Sequence, residues 1–120
     1  MTHAEFVAYH KMLCDKGREI TVAKNHDYSN PERFGKDPFA IFQNFLRCEQ
    51  FGICTVEQGF LTRITDKLAR LTNLTQPGAQ AAVKDESVED TCVDAINYLI
   101  LMMSYRKAKR EEAARGRTAG

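Results

Sequence analysis

Apolar residues recur along this chain at the three-to-four-residue spacing of amphipathic helices, and four such stretches can be marked off. In the first, Phe6, Tyr9, His10, Leu13, Gly17 and Ile20 share one face, which predicts a helix over residues 3–23. Residues 24–37 are dense in turn formers, and Pro31 and Pro38 fall within or just after them, so a loop is expected. Its length suits a lid or binding loop. Asp37 followed by Pro38 reads as a cap with proline at the first helical position, and Phe39, Ile41, Phe42, Phe45 and Leu46 form the face of a second helix ending near Gly52. Thr55 and Gln58 have capping-box spacing, and Val56, Phe60, Leu61, Ile64, Leu68 and Leu71 make the inward stripe of a third helix reaching about Asn73. The run from Thr75 to Ala79 breaks it. Asp85 or Ser87 then caps a fourth helix, with Val88, Cys92, Ala95, Ile96, Leu99 and Met103 facing inward and an end near Ala113. Residues 115–120 have little to bury and should fray, leaving 1–114 as a single helical domain.

Four amphipathic helices without a strand predict an all-α bundle, since each stripe must be covered by another helix. Phe39, Phe42, Phe45 and Phe51 crowd one short helix, more aromatic surface than a small core hides, which favours a homo-oligomer. The balance of 17 Lys and Arg against 16 Asp and Glu gives a net charge of +1, which argues against a broad nucleic-acid surface. Any anion site must therefore be local. No apolar run approaches the roughly 18 residues of a membrane span, and no signal-type stretch follows Met1, so no membrane partner and a cytoplasmic location are expected, in a host cell if the chain is phage-encoded. The four cysteines, Cys14, Cys48, Cys54 and Cys92, form no CxxC pair and read as reduced, mostly buried thiols.

The candidate chemistry lies in charged residues on the last two helices. Glu86, Asp90 and Asp94 are spaced four apart on one side of the fourth helix, and the stripe continues through Asn97 into Tyr98, Leu101 and Tyr105. That side is not simply a solvent face. Magnesium takes oxygen ligands of this type, often one or two carboxylates with substrate phosphate and water, so Glu86, Asp90 and Asp94 are candidate metal ligands. Early helical acids such as Glu86 and Glu89 are equally explained by the helix dipole. The third helix carries Arg63, Lys67 and Arg70 at helical spacing, with Lys67 almost inside the apolar face, where a cation needs a carboxylate or a ligand phosphate. Asp66 stands beside them as a possible opposing carboxylate. A salt-bridge network between the two helices accounts for the same residues without a ligand. In the preceding loop, Lys24 can meet phosphate, Tyr28 can stack on a base, Asp27 can order the loop or bind metal, and His26 lies among them as a ligand contact; a plain polar turn is the simpler account. His10, on the apolar stripe, reads as a hydrogen-bonded core residue. No phosphate-binding glycine loop and no nucleophile triad is present.

Asp27-Tyr28, the run from Arg63 to Arg70, and the run from Asp85 to Asp94 with Asn97-Tyr98 together resemble the nucleotide modification associated domain 1 family, common in bacteriophages. That resemblance implies a setting in nucleotide metabolism. The acidic helix is also distantly similar to all-α nucleoside triphosphate pyrophosphatases of the MazG and dimeric dUTPase type, which hold magnesium between an ExxE on one helix and an ExxD or ExxxD on another. Here the acids from Glu86 to Asp94 lie on one helix and no second ExxE occurs. Two functions are expected from these readings. In one, a magnesium-dependent nucleotide hydrolase or modifying enzyme uses Asp66, Glu86, Asp90 and Asp94 in catalysis, with Lys24, His26, Asp27, Tyr28, Arg63, Lys67, Arg70, Asn97 and Tyr98 contacting ligand. In the other, a non-catalytic binder sequesters a nucleotide signal, such as a cyclic nucleotide in phage counter-defence, with the same cations.

Overall fold

The computed structural model describes residues 1–29, 37–79 and 87–119, and the side chains of these except for 25–29 and 117–119. The described residues form four α-helices and one short 3-10 turn, with no strand among them, as the periodicity predicts.

Helix α1 covers His3–Ser29. It starts on a capping box that the apolar pattern did not reveal: Thr2 Oγ1 accepts from the Glu5 amide at 3.1 Å, and the Glu5 carboxylate accepts from the Thr2 amide at 2.8 Å. The helix also runs six residues past its expected end and takes in Lys24, His26, Asp27 and Tyr28, which the turn-former count assigned to a loop. Asn, His and Asp are weak helix formers rather than breakers, and the first proline lies only at position 31. The remainder of the expected loop, 30–36, lies outside the described residues.

Asp37 caps the next element, but differently from the expected proline start. Its carboxylate accepts from the Phe39 amide at 2.9 Å and its carbonyl from Ala40 at 3.2 Å, so the chain enters through the 3-10 turn Ala40–Phe42 before α2, Gln43–Gln50. The exit of α2 is a Schellman motif. The Ile53 amide donates to the Cys48 carbonyl, the Gly52 amide to that of Glu49, and Gly52 supplies the left-handed conformation at φ 75°.

Helix α3, Val56–Leu74, begins on the predicted capping box, with Gln58 and Thr55 bonded reciprocally at 3.0 and 3.1 Å. Helix α4, Val88–Ala119, begins on Ser87, whose hydroxyl accepts from the Asp90 amide while the Asp90 carboxylate accepts from the Ser87 amide and hydroxyl. It extends beyond Ala113, because nothing from Ala113 to Ala119 except Gly116 opposes helix formation.

Helices α3 and α4 pack antiparallel in a fixed register. Three cross-contacts define it: Arg70 Nε donates to Thr91 Oγ1 at 3.2 Å, Lys67 Nζ lies 3.4 Å from Asp94 Oδ2, and Arg106 reaches Glu57 at 3.3 Å. Between the last two contacts sits the core, where Phe42, Val56, Phe60 and Tyr105 are buried and Phe39, Phe45, Leu46, Tyr98, Leu101 and Met102 pack around them. The rings of Phe42 and Tyr105 pack edge to face, with centroids 5.4 Å apart and planes at 82°, an arrangement favoured by the aromatic quadrupole. Three of the four clustered phenylalanines thus enter the core. Phe51, beyond the end of α2, stays 77% exposed.

The face by which α4 packs differs from the expected one. Thr91, Val93 and Tyr105 are buried, whereas Ile96, Leu99, Ile100 and Met103 are exposed. Both sectors are apolar, so periodicity alone cannot choose between them; the aromatic content of α2 and α3 selects the Tyr98–Tyr105 side. In α1, Gly17 is buried against Val93 and Asn97, but Phe6, Tyr9 and His10 remain exposed. His10 is therefore no core histidine: its Nδ1 lies 3.7 Å from Cys14 Sγ on the surface of α1. The cysteines are free as expected, but less buried, with Cys14 exposed and the other three half-buried.

Candidate functional site

A cavity of about 610 Å³ opens where α1, α2, α3 and α4 meet. Its apolar wall comes from Ile41, Phe45, Ile53 and Leu101, and its polar wall from Lys24, Arg63, Asp94, Asn97 and Tyr98. The antiparallel register sorts these. Gly59 of α3 and Leu101 of α4 stand at one end, whereas Lys67 and Asp94 stand about two turns away, on the order of 10–12 Å along the helices. The cavity is consequently apolar at one end and charged at the other.

Gly59 makes the apolar end possible. A methyl group at this position would lie 2.8 Å from Phe45 Cδ1, closer than two carbons approach, so the ring of Phe45 lies directly across the α3 backbone. There it packs on Phe60, with centroids 4.3 Å apart, and meets Tyr98 edge-on at 6.3 Å. Cys48 and Cys54 flank this end, and Asn44 and Thr62 bring hydrogen-bonding groups to it. A flat, partly polar ring system suits such a surface.

At the charged end, Asp94 lies between two lysines from different helices. Lys24 Nζ of α1 is 3.7 Å from Asp94 Oδ1, and Lys67 Nζ of α3 is 3.4 Å from Asp94 Oδ2. Both separations exceed the roughly 2.7–2.9 Å of a charge-assisted hydrogen bond, so the lysines are held near the carboxylate without being locked to it. Arg63 faces the same space, and among the described residues no carboxylate pairs with it.

Other members of the expected constellation lie elsewhere. Asp90 and Glu89 turn toward α1, where Lys16 Nζ bonds both, at 2.9 and 3.0 Å, and Tyr9 donates to Glu89 at 2.6 Å. These bonds fix α1 against the start of α4. The Lys16 ammonium, with the Ser87 bonds, holds the Asp90 carboxyl down at about 2. Tyr9 and then Lys16 likewise lower that of Glu89, and Asp90 and Glu89 raise Lys16. Asp90 therefore serves a helix junction, one turn before the cavity that Asp94 lines. Arg70 is engaged by Thr91, also a turn beyond Lys67. Asp66 is exposed on α3 and is not among the residues that line the cavity. Glu86 and the side chains of His26, Asp27 and Tyr28 lie outside the described residues. Asn97 bridges two roles: its Nδ2 donates to the Gly17 carbonyl at 3.1 Å while its side chain borders the cavity.

Of the thirteen candidates, five line the cavity and Lys67 touches it through Asp94. Residues without charge were missed: Thr21, Ile41, Asn44, Phe45, Cys48, Ile53, Cys54, Gly59, Thr62 and Leu101. A signal existed for two of them, because an isolated glycine within a helical pattern marks a close approach, and Phe45 is what approaches Gly59. Among the described residues, no three His, Cys, Asp or Glu side chains gather as a metal-binding group. Asp94 is the one carboxylate among the described lining residues. The chain matches no family model, no curated protein and no solved structure.

Proposed function

We propose that this protein binds a phosphorylated nucleotide in the cavity between α1, α2, α3 and α4, with the base against Phe45, Ile53 and Tyr98 and the phosphate among Lys24, Arg63 and Lys67. The observation that carries this reading is the polarity of a single cavity: an apolar, aromatic end and, one to two helical turns away, Arg63 together with two lysines that flank the loosely paired Asp94 carboxylate. A structural ion pair in this same protein looks different. Lys16 bonds its two carboxylates at hydrogen-bond distance, whereas Lys24 and Lys67 stand back from Asp94 and keep donors for another acceptor. Resemblance to a phage nucleotide-modification family supports the same ligand class.

Binding without turnover is the form the residues favour, since Asp94 brings the single described carboxylate to the cavity. The hydrolytic form rests on the same aspartate. One carboxylate with phosphate oxygens and water is a set that magnesium accepts, and the metal would supply charge neutralisation and an activated water. To separate the two forms, purified protein is incubated with canonical and modified deoxynucleotides and magnesium, then heat-denatured, and the released ligand is identified by mass spectrometry. Intact ligand in stoichiometric amount supports binding, a cleaved product supports hydrolysis, and absence of any retained or altered nucleotide contradicts both.

We further propose that the working form is a homo-oligomer joined through the second apolar face of α4. Ile96, Leu99, Ile100 and Met103 recur at helical spacing and are each 42–59% exposed. The chain is also open for its length: its radius of gyration is 17.3 Å, against about 13.6 Å for a compact domain of this size. Its accessible surface of 8989 Å² exceeds by about 2,400 Å² what a compact monomer of this mass exposes. Obligate homodimers bury surface on that scale.

A further inference from the structure

The charges at the charged end of the cavity set how much phosphate it can take. Among the described residues, Lys24, Arg63 and Asp94 line the cavity and Lys67 stands beside Asp94, so the group brings three positive charges and one negative charge, which leaves two positive charges for a ligand. A phosphate monoester carries about −1.5 to −2 at neutral pH, and a free triphosphate carries considerably more. The geometry agrees with the count. Lys24 and Lys67 come from opposite sides, from α1 and α3, and both contact Asp94, so an anion placed beside that carboxylate meets a lysine on each flank and Arg63 along the α3 wall. Three donors converging from two helices suit one terminal phosphate with several free oxygens. A longer phosphate chain would bring its excess charge against Asp94 itself, and like charges at that range are disfavoured.

Resting on the nucleotide reading above, we propose that the cavity selects nucleoside 5′-monophosphates, bound without metal, and that Asp94 acts as the selectivity residue by repelling di- and triphosphates. Asp94 then has two jobs. It keeps Lys24 and Lys67 poised at the cavity when no ligand is bound, and it limits the negative charge the site accepts. Neutralising it should therefore widen phosphate tolerance rather than abolish binding.

The test is isothermal titration calorimetry in EDTA with the four deoxynucleosides, their 5′-mono- and triphosphates, and inorganic phosphate. It is performed on the unaltered protein, Asp94→Asn and Arg63→Gln, with circular dichroism confirming the fold of each variant. For the unaltered protein, at least one monophosphate should bind 10-fold or more tightly than its triphosphate and than inorganic phosphate. Asp94→Asn should shrink the monophosphate preference several-fold by strengthening triphosphate binding. Arg63→Gln, on an exposed residue, should weaken the monophosphate while leaving helicity unchanged. Triphosphate binding as tight as monophosphate in the unaltered protein would overturn the selectivity and leave the nucleotide reading standing. An unchanged preference in folded Asp94→Asn would overturn the role of Asp94. Failure of every nucleotide to bind would overturn both proposals, and inorganic phosphate binding as tightly as the monophosphate would remove the apolar end from the account.

Discussion

Lys67 and Asp94 face one another across the antiparallel seam of α3 and α4, with 3.4 Å between Nζ and Oδ2 and three-quarters of each side chain removed from solvent. One turn earlier on α4, Asp90 is bonded to Lys16 at 2.9 Å. The same acidic stripe thus serves two purposes, a tight joint to α1 at Asp90 and a looser pair at Asp94 that borders a cavity.

If the looser pair serves a ligand, Lys67→Met should weaken nucleotide binding by 10-fold or more. Its effect on stability should stay within about 1 kcal/mol, the usual range for a pair that is not fully desolvated. Thermal melts with and without nucleotide check this, and the ligand-induced rise in melting temperature should disappear in the variant.

Gly59→Ala tests the apolar end. Alanine gains about 1 kcal/mol of helix propensity over glycine, but a methyl 2.8 Å from Phe45 Cδ1 forces the ring aside, and overpacking costs typically 1–3 kcal/mol. The net effect should be a modest destabilisation with a larger loss of nucleotide affinity, read by denaturant titration beside calorimetry.

The Lys16 joint predicts a pH dependence. Asp90 is held at about 2 against its ordinary 3.8, and Glu89 is lowered from 4.5. A carboxylate with a depressed folded value stabilises above its unfolded value and loses that contribution as pH falls through the folded one. The contribution should be complete above about pH 5 and fade toward pH 2. Lys16→Met removes the lysine's share and leaves those of Ser87 and Tyr9, so the stability gap between the unaltered protein and the variant, measured by urea unfolding, should be widest near pH 6 and narrow on acidification.

Ile100→Asp places a charge in the second apolar face of α4 at a position already half exposed in the single chain. The variant should keep its helicity and lose assembly. Light scattering coupled to size exclusion should show monomer for the variant and an oligomer for the unaltered protein.

Much of the fold was legible in the sequence because its signals are local. The Thr55–Gln58 capping box and the stop at Gly52 each depend on residues within a few positions. What was not legible depended on partners far along the chain. The face of α4 that packs was ambiguous because α4 is apolar on two sides, and only the positions of Phe42, Phe45 and Phe60 decide it. In the site, Lys67 opposite Asp94 was readable from charge and helical spacing. The separation of Asp90 from Asp94 was not, since it depends on Lys16, more than seventy residues earlier. The apolar half of the cavity carried no charge to attract notice, although Gly59 marked the place.

If one cavity takes base and phosphate together, a crystal structure of the protein grown with a saturating deoxynucleoside monophosphate should hold the phosphate within hydrogen-bond reach of Lys67, Lys24 and Arg63 and the base against Phe45. A nucleotide bound elsewhere, or this cavity closed by its own side chains while nucleotide occupies another surface, would contradict it.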